Sequence, residues 1–126
     1  MTAAEVLHRY KRDEMPEFVG VPLDDVNQIG NSGDRPLHIA CVRGKMDEIA
    51  ALVGAGAEVN APGDMANTPL HECVGQGHLM AVQFLLDHGA SPSAKNEWGA
   101  SPIDVARLKG REDMVKILTQ PPEGAS

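Results

Sequence analysis

The stretch ANTPLHECVGQGHLMAVQFLLDHGA, running from Ala66 to Ala90, reads as helix, turn, helix. Pro69 suits the first turn of a helix, where the missing N–H would have no partner in any case, and the hydroxyl of Thr68 can cap that end. Eight residues on, Gly77 supplies the left-handed residue at which a short helix stops and the chain reverses. Leu79, Val82, Leu85 and Leu86 then recur at helical spacing, so a second helix buries that face before Gly89 closes it.

The same grammar occurs on both sides of this stretch. Pro36, Pro69 and Pro102 are 33 residues apart, as are Gly44, Gly77 and Gly110, and Leu52, Leu85 and Leu118. A fixed period of this length marks a stack of repeats. The copy beginning at Gly33 carries Met46, Ile49, Leu52 and Val53 on its second helix. The copy beginning at Gly99 carries Met114, Val115 and Leu118. Gly56 ends the earlier of these helices, and Val59-Asn60 starts an extended link.

These residues resemble the ankyrin repeat, whose pattern G-x-T-P-L-H-x-A-x-x-x-G-x-x-x-x-V-x-x-L-L-x-x-G-A-x-x-N is matched most closely by Ala66 to Ala90. The resemblance extends from Asp25 to about Leu118. It implies an all-α solenoid of L-shaped units, with antiparallel helix pairs side by side and turn tips projecting at right angles. It also implies a protein without catalytic residues, resident metal or cofactor, which binds another protein through its concave face and tips.

Departures from the pattern are informative. Arg35 stands where the capping Thr is expected, with Asp34 available one position earlier. Ala66 replaces a turn glycine, and Asp104 replaces the motif histidine. Residues 25–120 are expected to hold three recognisable repeats, the last a C-terminal cap whose polar outer face comes from Arg111, Glu112, Asp113 and Lys116. Residues 1–24 read as an atypical helical cap, with helices over Ala3 to Lys11 and Pro16 to Val21. Residues 121–126 read as a flexible tail.

Composition narrows the function. The 126 residues are 42% hydrophobic but only 3% aromatic, so one domain with a core of small aliphatic parts is expected. The net charge of −7 argues against binding phosphate backbones and favours a protein partner with a basic surface. No segment has the roughly 18 apolar residues of a membrane span, and none before Arg12 has a signal-peptide core. A cytoplasmic protein, monomeric when unbound, is the expectation.

His38 and His71 invite comparison with general bases or metal ligands. In the repeat pattern the resemblance implies another role, bonding to the neighbouring Thr and backbone so that one turn is tied to the next. His71 and Cys73 are two apart on a helix, about 200° around the axis, and cannot share one metal. Cys41 and Cys73 lack a CxxC or ligand pair and read as reduced core fillers. His78 and His88 fit helix-end capping. A metal-dependent or catalytic protein using His71, Cys73 or His38 is one rival reading, and a self-associating structural stack is another.

The tips are where the copies differ. Asn31, Ser32 and Asp34, then Asp64, Met65 and Asn67, then Glu97 and Trp98 occupy them, so the only Trp falls on a projecting turn beside Met65. Such a Trp either shields the last repeat or anchors a partner. Asp34, Asp64 and Glu97 would steer a basic partner. In the geometry the resemblance implies, Arg43, Gln76 and Lys109 add the exposed positions of the inner helices to the same concave face. Size and charge together suggest a small acidic inhibitor or immunity protein.

Overall fold

The computed structural model describes residues 1–120, and the expected tail over 121–126 lies outside them. Among the described residues are seven α-helices and no strand: α1 (Ala3–Arg12), α2 (Pro36–Arg43), α3 (Met46–Gly54), α4 (Pro69–Gln76), α5 (Leu79–Asp87), α6 (Pro102–Leu108) and α7 (Glu112–Thr119). Each proline of the 33-residue lattice opens a helix after an extended residue. Helices α2, α4 and α6 pack side by side in one row, while α3, α5 and α7 form a second row behind them.

Helix ends follow the local chemistry. Thr68 and Ser101 accept the backbone N–H groups of His71 and Asp104. Arg35 has no capping oxygen, and its guanidinium instead pairs with Glu58 at 3.0 Å. Asp34 does not cap α2 either, because its Oδ1 accepts the backbone N–H of Asp64 at 2.9 Å in the next tip. Gly44 and Gly77 turn the chain at φ +68° and +82°. A Cβ at Gly44 would also stand 2.6 Å from the His78 ring, so the repeats meet too closely there for any side chain.

The core runs through both rows and consists of Leu37, Ala40, Cys41, Ile49 and Leu52, then Leu70, Cys73, Val74, Val82 and Leu85, then Ala106, Met114 and Leu118. Leu79 departs from expectation. It opens α5 and remains 37% exposed, and Ala81 takes the inward position.

The expected N-terminal helix pair is one helix only. Over Pro16–Phe18 a single 3-10 turn forms; Pro22 keeps Val21 out of the helical region, and Gly20 has φ +75°. Helix α1 packs on α3 and so joins the second row. Tyr10 and Phe18, with ring centroids 6.3 Å apart, stack between α1 and the turn.

Candidate functional site

Each tip is a short hairpin closed by its own backbone. The N–H groups of Gly30, Gly63 and Asn96 donate to the carbonyls of Asp34, Asn67 and Ala100 at 2.8–2.9 Å. Each tip is joined to the element before it, the 3-10 turn or the preceding tip, at one repeating position. The N–H of Asn31 donates to Glu17 O, that of Asp64 to Asp34 Oδ1, and that of Glu97 to Met65 O. This last bond, 3.0 Å long, sets the third tip directly against the second.

The second tip solves the missing glycine by bending two residues. Ala66, at the position of Gly33 and Gly99, takes left-handed φ +60°, and Met65 before it takes +57°. Such residues carry roughly 1–2 kcal/mol of strain each.

The structure divides the expected contact residues into two sets. In the first tip the amide of Asn31 donates to the carbonyls of Pro16 and Val19, and the backbone and hydroxyl of Ser32 both donate to the Glu17 carboxylate. These polar groups fasten the 3-10 turn onto the tip. Asn67 Oδ1 accepts from Asn96 at 3.0 Å, and Arg43 is drawn to Glu48 at 3.1 Å. The other set faces solvent: Asp64, Met65, Gln76, Glu97, Trp98 and Lys109. Trp98 is 66% exposed and Met65 48% exposed. Leu108, at the end of α6, is 87% exposed.

Two carboxylates that the sequence reading passed over break the lattice. Glu48 occupies the position of Ala81 and Met114 and is fully buried. It accepts from Tyr10 Oη at 2.6 Å, Arg9 Nη1 at 2.9 Å and Arg43 Nε at 3.1 Å, fastening α1 and the end of α2 to α3. Burial of Tyr10 pushes its hydroxyl pKa upward, with the Glu48 hydrogen bond adding to the shift.

Glu72 stands where the other copies have Ile39 and Val105. Burial, reinforced by the nearby charges of Asp34 and Asp64, pushes its carboxyl from 4.5 up to about 7. The folded chain therefore holds a proton that the unfolded chain releases from about pH 4.5, so this group's contribution to stability falls as pH rises through 4.5 to 7. In Glu72→Gln the dependence should vanish. Thermal unfolding of both proteins should give similar midpoints at pH 4.5 and a higher midpoint for the variant at pH 8. Equal midpoints at pH 8 would contradict this.

Four of the five histidines are spent on structure. His38 Nδ1 accepts the N–H of Arg35 at 3.0 Å, so Nε2 carries the proton and faces the carbonyls of Ala61 at 2.9 Å and Asn67 at 3.1 Å. His71 repeats the arrangement with Thr68 and, at 2.8 Å, the Ala100 carbonyl. Burial lowers the pKa of both rings. Asp104 keeps only the local half of this role, accepting the N–H of Ser101 at 2.9 Å. His78 reaches the Val42 carbonyl at the end of α2, and His88 bonds to Phe84 O. Cys41 and Cys73 are free and buried; burial, then the neighbouring Cys73 thiol, raises the Cys41 pKa.

A family model described as ankyrin repeats (3 copies) matches residues 1–96 and again 64–126. No curated protein matches the chain. Among the described residues no helix is long and apolar enough to cross a membrane.

Proposed function

Because the chain belongs to the ankyrin-repeat family, whose members generally mediate protein–protein interaction, we propose that it binds a partner protein through its second and third tips. Trp98 and Met65 are the anchors and Asp64 and Glu97 the steering charges. Gln76 and Lys109 contribute from the first-row helices. The observation that carries this reading is the exposure of the single Trp on a tip held by backbone bonding against Met65. Large aromatic side chains bring much contact area with little rotamer entropy to lose, and they dominate binding energy when a partner buries them.

The partner has a basic surface, in keeping with the chain's net charge of −7. The protein acts as a small acidic inhibitor or immunity factor in the cytoplasm, monomeric until it binds. Wild type and Trp98→Ala, used side by side to capture and then titrate the partner, should differ in affinity by at least about 2 kcal/mol. Equal affinity would remove Trp98 as an anchor. Affinity should also fall between low and high salt as screening weakens the charge attraction, and a salt-insensitive complex would count against the basic partner.

A further inference from the structure

The third helix pair carries a cleft of about 390 Å³ between the end of α6 and the start of α7. Val115 lines it half-buried, the fully buried Ala106 lies beneath, and Gly110 stands at the turn between the helices. Around it stand Arg107, Arg111 and Lys116, three cations against the single acid Glu112. None of the three cations forms an ion pair among the described residues. In a chain of net charge −7 this is a local inversion of sign.

Comparison between copies shows how the cleft arises. Arg107 takes the position of Cys41 and Val74, and Val115 that of Ile49 and Val82; all four of these counterparts are fully buried. In the third copy Val115 is half-buried and Arg107 exposed. An apolar seat that the earlier copies bury is thus left partly open at Val115, and its border has become cationic.

Arg111 reinforces this border. One arm of its guanidinium donates to the Gly75 carbonyl at 3.3 Å, which fixes the group in place, and its Nε has no hydrogen-bond partner. A guanidinium has five N–H donors in a planar fork suited to paired oxygens. The Arg111 Nε is buried, so the donors free to meet a ligand at the cleft are those of the exposed Arg107 and Lys116.

We infer that this cleft binds a carboxylate attached to an aliphatic body, with Arg107 and Lys116 holding the carboxylate and Val115 receiving the aliphatic part. A bare oxyanion would satisfy the cations and leave the apolar surface unused. A neutral apolar ligand would do the reverse. None of these residues belongs to the tips, so the site is independent of the Trp98 surface.

The test uses N-acetyl-leucine as probe, followed through the backbone amide resonances of Gly110, Arg111 and Val115. Saturable shifts are expected with N-acetyl-leucine, together with at least tenfold weaker binding by N-acetyl-leucinamide. Arg107→Gln/Lys116→Gln, which leaves the structural Arg111 in place, should weaken the probe at least tenfold while its thermal midpoint stays near that of wild type. The proposal is overturned by absence of saturable shifts, by equal binding of the amide, or by a folded double variant that binds as well as wild type. Inorganic phosphate binding as tightly as the probe would overturn the ligand class in favour of a simple oxyanion site.

Discussion

Glu48→Ala is expected to lower the unfolding free energy by about 3 kcal/mol, at the lower end of the cost of breaking a buried ion pair. Truncation would strip the buried Tyr10 hydroxyl of its acceptor and leave Arg9 and Arg43 without their shared carboxylate. The two guanidinium side chains are 32% and 31% exposed and can rehydrate, which keeps the loss from reaching the upper end. Glu48→Gln retains an oxygen for Tyr10 and should cost less. Glu48→Met, which copies Met114, should fall between the two by restoring packing without the acceptor. Urea unfolding of the three variants measures this order, and a loss under about 1 kcal/mol in the alanine variant would show that the cluster contributes little. Set against a total stability of about 5–15 kcal/mol, the expected loss is a large fraction.

His38→Ala should have a similar effect, about 3 kcal/mol. The substitution leaves the Arg35 N–H without its acceptor and the Ala61 carbonyl without its donor, while the Asn67 carbonyl keeps only the N–H of Gly63. Each buried group so orphaned costs about 1–3 kcal/mol, offset where water enters. His71→Ala should cost less, because its Nε2 serves only the Ala100 carbonyl. Denaturant midpoints compare the two, and equal losses would contradict the account. The pH profile adds a second measurement. Both rings have folded pKa values below 6.5, so their contribution is present above that value and is lost as pH falls below it, where the unfolded chain takes up protons. This slope is opposite in sign to that of Glu72, and removing His38 should flatten the acid side of the stability curve.

The helix rows were legible because the features that make them, proline at a helix start, a left-handed glycine at its end and leucine inside, act within one copy and recur in the next. The role of Asn31 and Ser32 was not, because it depends on Glu17, which lies outside the lattice and reaches the tip only after Pro22 and Gly20 have broken the expected second helix. Glu48 and Glu72 left a signal that went unread: each replaces an apolar residue found at the same position in both other copies. The fully buried Glu48 is met by partners brought from helix α1, whereas the half-buried Glu72 meets only like charges and holds its proton instead. Trp98 was placed on its tip by counting, but its exposure and the bond between Glu97 and Met65 are three-dimensional facts.

The bonds between repeats run in both directions. His38 and His71 reach forward to the carbonyls of the next copy, while His78 and Arg111 reach back to Val42 and Gly75. A repeat that detached would therefore leave polar groups without partners on both sides of the break, and the cost would fall on the remaining stack as well as on the departing unit. Fraying one repeat at a time is penalised, and the chain should melt in a single cooperative transition, with the amides of Asp64 and Glu97 exchanging with solvent only when the whole array opens.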